Sequence, residues 1–354
     1  MKKLKVAIVG VGNISVHHIN GYLNSGKAEL CAFCDINEDR LNFMGQKYGV
    51  TNLYTDEEEM LRNHPEIDAV SVCTWNSAHA VCTITALNAG KHVICEKPMA
   101  MNAEEAKAMQ DAAEKNGKLL MIGFVRRFGS DCYTVENLIN GDRIGEIYYA
   151  KASYLRRNGA PGGWFGDKAR SGGGPLIDLG VHVIDLARFL MGKHKVVSVY
   201  GSTFSKLGNR PEIRSKKEHV SAGISQKDVF NCEDLATALI RFDNGAVLFI
   251  DASFSVNAGA GENSVQLFGT KGGVKMANEV SYFGDMVGYL TNVSFDYPTG
   301  LDFAQIFNRE LDHFVSCALG EISECRNPAE DGVELMKILD AIYKSAECGH
   351  EVIL

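Results

Sequence analysis

The sequence predicts a two-domain α/β chain: a doubly wound parallel sheet over residues 1–125, then an α/β domain over residues 126–354 with a large, mostly antiparallel, open-faced sheet. Three observations predict it. Short, near-continuous apolar runs alternate with helix-like stretches through the first third, which is how parallel strands covered on both faces read. Past residue 124 the rhythm changes to longer runs that alternate polar and apolar residues and often lie side by side. The length of 354 residues also exceeds one ordinary core, at about 150 residues per domain.

The first-domain strands are "LKVAIVG" (4–10), "ELCAFCD" (29–35), "DAVSVCT" (68–74), "KHVICEK" (91–97) and "KLLMIGF" (118–124). Helices are expected between them at about 13–25, 37–48, 55–63, 77–89 and 102–116. Thr55 with Glu58 has the spacing of a capping box and Asn102 with Glu105 resembles one, while Gly90 and Gly117 stand where helices end. The second-domain strands are "EIYYAKASYL" (146–155), "KVVSVYGSTF" (195–204), "EDLATALIRF" (233–242), "AVLFIDASFSV" (246–256) and "NSVQLFGT" (263–270). Asp243-Asn244-Gly245 is a hairpin signal. A helix from about Pro175 to Met191 interrupts this sheet, and helices near 303–319 and 328–348 finish the chain, the last opened by Asn327 and Pro328. The charged stretch from Lys206 to Asp228 has little periodicity and reads as an exposed excursion.

Hydrophobic residues make up 45% and charged residues 23%, inside the range of folded globular chains. With 36 Lys and Arg against 44 Asp and Glu, the net charge of −8 offers no basic footprint for nucleic acid. No run reaches the roughly 18 apolar residues of a membrane span. The start "MKKLKVAIVGVG" imitates a signal peptide, but Gly10 and Gly12 break the apolar run and no small-residue cleavage site follows. The ten cysteines are scattered, several within strand-like runs, as reduced core thiols are. Cys31 and Cys34 form a CxxC inside one strand, and no second CxxC completes a zinc site. A cytoplasmic location is expected.

Chemistry concentrates in three places. "GVGNIS" (10–15) follows the first strand and opens the first helix, so Gly10, Gly12, Asn13 and Ile14 sit where a pyrophosphate meets a helix N-terminus. Ser15 replaces the usual third small residue. Asp35 ends the second strand, where an acid can accept hydrogen bonds from a ribose diol and repel a 2′-phosphate. NAD is therefore expected over NADP, unless a basic neighbour such as Arg40 reaches the site. In "ICEKPMA" (94–100), Lys97 follows a buried strand and precedes a proline that restricts it to extended backbone. "SGGGPLIDLGVHVIDLARFL" (171–190) carries Asp178, His182 and Asp185 at spacings that place them on one helical face of an otherwise apolar helix. A polar stripe on a buried helix needs a reason. Asp178 and His182 could satisfy each other in the core; a metal pair is another option, although spacing marks no third ligand and no metal is expected.

These three motifs, in this order and at these separations, resemble the Gfo/Idh/MocA family, named for glucose-fructose oxidoreductase and inositol dehydrogenase. The resemblance covers the whole chain and implies a Rossmann domain followed by an α/β domain on a large sheet. It implies that Lys97, Asp178 and His182 surround the reacting sugar carbon. "TWNSAH" (74–79) is similar to a family loop near the cofactor, which assigns Thr74, Asn76 and His79 to cofactor binding together with Glu96 and Lys97; Trp75 departs from the small or prolyl residues common there. Arg126 and Arg127 resemble a family position at the cleft between the domains. In "YLRRNGAPGGWFGDKARSGGG" (154–174), Trp164 could stack on a sugar face, and Arg156, Arg157, Lys168 or Arg170 could bind hydroxyls or an acid.

The expected activity is hydride transfer between a ring secondary alcohol of a sugar, glycoside or cyclitol and nicotinamide. His182, with an unperturbed pKa near 6.5, suits general-base work; Lys97 would stabilise the developing alkoxide, or act as acid/base itself if a dry site depresses its pKa. Asp178 would orient the histidine or polyol hydroxyls. Two alternatives stand: an NAD-retaining enzyme that cleaves or epimerises glycosides without net redox change, and a non-catalytic NAD and sugar sensor. Large side chains on both faces of "AVLFIDASFSV" and "EIYYAKASYL" predict an apolar sheet face that pairs in a homodimer or homotetramer, as the family resemblance also implies.

Overall fold

The computed structural model describes residues 3–214, 217, 220, 221 and 228–354. The charged excursion expected at 206–228 falls partly at positions 215, 216, 218, 219 and 222–227, which lie outside the described residues.

The chain divides into two compact units, residues 1–125 with 303–336, and residues 126–302 with 337–354. The first unit holds a six-stranded sheet, β1 (Leu4–Val9), β2 (Ala28–Cys34), β3 (Leu53–Tyr54), β4 (Ala69–Val72), β5 (His92–Cys95) and β6 (Leu120–Ile122), in the order β3-β2-β1-β4-β5-β6. Every ladder is parallel. Strands β1, β4, β5 and β6 bury nearly every side chain, so they read in sequence as apolar runs. Between them run α1 (Ser15–Ser25), α2 (Glu38–Tyr48), α3 (Glu57–Asn63), α4 (Asn76–Asn88) and α5 (Ala103–Asn116). Asn102 caps α5 by accepting the Glu105 N–H at 2.9 Å, and Gly117 ends it in left-handed geometry. At α3 the cap is Asp56, which accepts the Glu59 N–H at 2.7 Å, not the expected Thr55. A carboxylate outranks a threonine there and also meets the positive helix end.

Residues 303–336 were expected in the second domain, yet they join the first unit. The reason is α9 (Phe303–Ala318), whose Ile306, Phe307, Leu311, Phe314 and Val315 are buried. Phe307 stacks on His17 of α1 at 4.5 Å between ring centroids. Gly21 of α1 permits this approach, since a Cβ there would stand 2.8 Å from Leu311.

The second unit contains α6 (Ser130–Asn140), α7 (Lys168–Ser171) and α8 (Val181–Leu190), and its sheet is built from β7 (Ile147–Leu155), β8 (Val196–Phe204), β9 (Leu235–Phe242), β10 (Val247–Ser253), β11 (Glu262–Gly269), β12 (Gly273–Met276), β13 (Val280–Met286), β14 (Tyr289–Ser294) and β15 (Val352–Ile353). Their order is β14-β13-β12-β11-β7-β10-β9-β8-β15. Only β7 and β10 pair in parallel; the other ladders are antiparallel. Asp243-Asn244-Gly245 turns β9 into β10, with Gly245 at φ +85 and Asn244 Oδ1 accepting the Ala246 N–H at 3.1 Å. The hairpin β13–β14 had no signal in the sequence because its side chains are mostly exposed and leave no alternating pattern.

One face of this sheet carries fully buried Ala150, Ala152, Ala238, Ile240, Leu248, Ile250 and Leu267. The opposite face presents Tyr200, Leu239 and Phe249 in one cross-strand row, and Val247, Tyr149 and Phe268 in the next, with the last two rings stacked at 5.3 Å. Tyr200 is 51% and Leu239 40% exposed.

Candidate active site

The nucleotide end is built mainly from backbone. Gly10 has φ +86, and a Cβ on it would lie 2.7 Å from the Cys73 carbonyl carbon, so only glycine fits between β1 and the end of β4. A Cβ on Gly12 would meet nothing within 4 Å, which leaves the open space a pyrophosphate requires. Asn13 is exposed and Ile14 half-buried at the start of α1, which has no side-chain cap and no acid in its first turn. Its leading N–H groups suit an anion. Ser15 is buried and turns its hydroxyl back on the Gly12 carbonyl at 2.8 Å, which is how serine is accommodated in place of a smaller residue.

Asp35 is held in place by two backbone donors, Val11 N–H at 2.7 Å and Asn37 N–H at 2.8 Å. Each carboxylate oxygen keeps acceptor capacity for a ribose hydroxyl. Arg40 does reach this turn: its Nε donates to the Val11 carbonyl at 2.8 Å and its Nη2 to the Gly12 carbonyl at 3.4 Å. Its charge is thereby directed onto the turn. The glycines, the uncapped helix end and Asp35 fit a dinucleotide.

Lys97 is half-buried and joined to Pro98 by a cis peptide bond. Behind it runs a buried polar chain. Tyr22 and Ser71 hydroxyls meet at 2.6 Å, Ser71 Oγ reaches His18 Nδ1 at 3.2 Å, His18 Nε2 reaches Glu96 Oε1 at 2.9 Å, and Glu96 Oε2 accepts the Lys97 N–H at 3.1 Å. Burial works against the Glu96 charge, but the His18 hydrogen bond and the neighbouring charges of His18, Lys97 and His79 hold its pKa below the usual value. Glu96 thus acts on the Lys97 backbone from inside, where the sequence had placed it against the cofactor. His79 is corrected in the same sense. It is buried, with Nδ1 2.7 Å from the Pro98 carbonyl and Nε2 3.3 Å from the Thr74 carbonyl, and burial lowers its pKa. The ring ties the 74–79 loop to the Lys97 turn. Thr74 is half-buried and Asn76 buried at the opening of α4. His18 and Ser71 were not singled out in the sequence; a histidine and a tyrosine four apart on the buried face of α1 were the available signal.

In the second unit the expected single helix is two elements, a π-helical turn over Leu176–Gly180 and then α8. Glu233, another residue the sequence did not mark, is buried and accepts from the Leu176 N–H at 3.3 Å and the Tyr343 hydroxyl at 2.9 Å. The preceding glycines serve this packing, since a Cβ on Gly173 would stand 2.0 Å from the Tyr343 hydroxyl and one on Gly174 2.1 Å from the Glu233 carbonyl. The stripe expected on one face is divided. Asp178 and His182 are half-buried, whereas Asp185 is buried and takes Arg127 Nε at 3.0 Å and Nη2 at 2.5 Å.

Arg127 was expected to face substrate, but it is fully buried, paired with Asp185 and lying 4.6 Å from the Phe189 ring. Breaking that pair to reach a ligand would strand a charge. Arg126 is likewise buried, donating to Asn263 Oδ1 at 3.2 Å and Asp131 Oδ2 at 3.1 Å. Arg156 is half-buried, donates to the Gly159 carbonyl at 3.2 Å and covers the Tyr154 ring. Trp164 is half-buried and stacks on Phe165 at 4.1 Å. Among the described residues no group of three or more His, Cys, Asp or Glu side chains could hold a metal.

Comparison with known proteins agrees with this geometry. Residues 4–124 match an oxidoreductase family with an NAD-binding Rossmann fold, and residues 136–354 match the C-terminal alpha/beta domain of the same oxidoreductase family. The chain belongs to the Gfo/Idh/MocA family. It is similar to the D-glucoside 3-dehydrogenase of Escherichia coli K12, 33% identical over 99% of this chain and 97% of that one. It is also similar to the myo-inositol 2-dehydrogenase of Thermotoga maritima, 30% identical over 76% and 74% of the two chains. Among solved structures, the aldose-aldose oxidoreductase of Caulobacter crescentus superposes with a TM-score of 0.82 at 27% identity, covering 100% of each chain. A levoglucosan dehydrogenase complexed with NADH shares the fold, with a TM-score of 0.85 at 24% identity over 99% of each chain. This Gfo/Idh/MocA protein is an NAD-dependent dehydrogenase acting on CH–OH groups. No helix among the described residues is long and apolar enough to cross a membrane.

Proposed function

We propose that this dehydrogenase acts on a secondary ring alcohol of a sugar, glycoside or cyclitol, with Lys97, His182 and Asp178 as its catalytic set. One observation carries the reading: these three polar side chains are partly exposed, whereas Glu96 and His79 in the first unit and Asp185 and Arg127 in the second are buried. NAD, when bound, supplies the hydride acceptor. His182 takes the hydroxyl proton, Lys97 Nζ donates a hydrogen bond to the oxygen as charge develops, and Asp178 orients the sugar or the imidazole. In reduction the same groups act in reverse, and Lys97 and His182 are both candidates for the proton carrier. Gly10, Gly12, Asn13, Ile14, Asp35, Thr74 and Asn76 would hold the dinucleotide, and Trp164 and Arg156 the sugar.

The relatives named as glucoside and inositol dehydrogenases support a glycoside or cyclitol as substrate. The neighbour named aldose-aldose oxidoreductase supports a second reading, in which NAD is retained and no net redox change appears. A panel of sugars, inositols, uronates and glycosides, followed by NADH absorbance with released aglycone monitored in parallel, tests both. NADH formed in proportion to substrate upholds the dehydrogenase. Product without NADH moves the protein to the second reading, and no turnover on any of them removes the sugar assignment.

The apolar sheet face with Tyr200, Leu239, Phe249 and Tyr149 supports assembly into a homodimer or a tetramer of dimers. Sedimentation at micromolar concentration decides it, a mass staying at the 38.6 kDa of one chain being the contrary result. The buried thiols of Cys34, Cys73, Cys95, Cys132 and Cys232 suit the reducing cytoplasm.

A further inference from the structure

We propose that Cys317 and Cys325 form a reversible oxidation site, a dithiol that a hydroperoxide converts to a disulfide. Cys317 lies in the last turn of α9, and Cys325 in the segment between α9 and α10 (Ala329–Cys348). Both are thiols outside any disulfide and half-buried, Cys317 Sγ lies 4.0 Å from the carbonyl of Glu324, the residue before Cys325, and the two side chains hydrogen-bond each other. Peroxide can therefore reach the pair, and a partner thiol waits beside whichever sulfur is oxidised.

The surroundings favour Cys317 as the attacking thiol. Its Sγ lies 3.5 Å from His313 Nε2, one turn earlier on α9. That nitrogen also accepts the Arg326 N–H at 2.9 Å, which puts the ring proton on Nδ1 and leaves Nε2 to accept the Cys317 S–H. The Cys325 S–H, ahead of the His313 contribution, brings the Cys317 pKa down to about 5 although burial opposes it. Elsewhere burial moves thiols the other way. Cys34, Cys95 and Cys232 are pushed up to about 12, and Cys31, Cys73 and Cys82 are raised as well. The thiolate is the reactive form, so oxidation should select Cys317.

The chemistry balances with the peroxide as the only oxidant. The Cys317 thiolate attacks one peroxide oxygen, the O–O bond breaks, hydroxide leaves and a sulfenic acid forms. The Cys325 sulfur then attacks the Cys317 sulfur, the S–O bond breaks, and hydroxide departs with the Cys325 proton as water. Two thiols and one peroxide yield one disulfide and two waters, and an added dithiol reverses the change.

The test treats the full chain with hydrogen peroxide in slight excess. The expected product has lost two hydrogens in mass, yields a peptide joining Cys317 to Cys325, and returns to two thiols with dithiothreitol. Cys325→Ser should halt at a Cys317 sulfenic acid that a dimedone-type probe captures, and Cys317→Ser should leave Cys325 unpaired. Peptide mapping of the wild-type chain stands even if a variant folds poorly. Both thiols surviving while the exposed Cys348 is oxidised, a disulfide to another cysteine, or Cys317 passing to the sulfinic acid without pairing would each overturn the proposal.

Discussion

The two units prepare for chemistry by different means. In the first, ligand-facing geometry comes mostly from the main chain: a left-handed Gly10, an open Gly12, an uncapped helix end, and an Asp35 fixed by two backbone N–H groups. In the second, the proposed substrate groups are side chains, Asp178 on a π-helical turn that Glu233 and Tyr343 hold from behind and His182 at the start of α8. Backbone sites suit a ligand whose shape never changes, and side-chain sites suit one that varies between relatives. The contrast teaches that glycine spacing can announce a cofactor site, whereas a substrate site must be located by what its neighbours bury.

The largest effect should come from the side-chain unit. Asp185→Ala leaves the Arg127 guanidinium buried without its carboxylate, which should destabilise the second unit by about 3–5 kcal/mol. Denaturant unfolding measures this, and a loss under roughly 1 kcal/mol would show that water or another acid takes over. Next, Lys97→Ala and His182→Ala should each lower turnover by about a hundredfold or more while NADH still binds. Steady-state rates beside NADH fluorescence titration read both quantities, and near-native turnover in either variant removes that residue from the catalytic set.

Gly10→Ala examines the backbone side. The alanine would need a positive φ and would press its Cβ against the Cys73 carbonyl, costing about 1–3 kcal/mol. NAD affinity should fall sharply with little change for sugar; unchanged NADH titration would break the comparison. A smaller effect is expected from Asp35→Ser, which removes the negative charge proposed to meet the ribose and should narrow the preference for NAD over NADP. Equal affinity for the two cofactors in the native protein would deny Asp35 that role.

The last effect concerns pH and Glu57, the first residue of α3. Burial pushes its pKa up to about 8, against the hydrogen bond from Cys82. Because the folded state holds this proton more tightly than the unfolded chain, near 4.5, its contribution is complete at acid pH and is lost as pH rises through about 8. Stability should therefore decline over that window, and Glu57→Gln should flatten the decline. Urea midpoints at mildly acid and mildly alkaline pH compare the two proteins, and equal slopes would mean that Glu57 titrates as an ordinary carboxylate.

Much of the first unit was legible because local chemistry determined it. Its buried strands have to be apolar on both faces, its turns require glycine, and Asn102 and Gly117 mark the ends of α5. The cofactor turn was legible for the same reason. Asp178 and His182 stood out as polar positions on an apolar helix, but the same pattern promoted Asp185 and the family resemblance promoted Arg127, and the structure turns these two inward on each other. Spacing cannot distinguish a polar residue facing a ligand from one facing a buried partner 58 positions away.

The sequence alone determined five of the six strands and the five helices of the first 125 residues, though not the two-residue β3, together with the glycine turn with its acid and the presence of a second, sheet-based domain, because each rests on contacts between near neighbours in the chain or on strand periodicity. The tertiary structure alone decided what depends on residues far apart in sequence. It returned residues 303–336 to the first unit through the packing of α9 on α1. It threaded a buried line of hydrogen bonds from Tyr22 to the backbone of Lys97, and it brought Cys325 to Cys317. Buried polar groups must find partners wherever the fold supplies them, and their positions along the chain do not record which partners those will be.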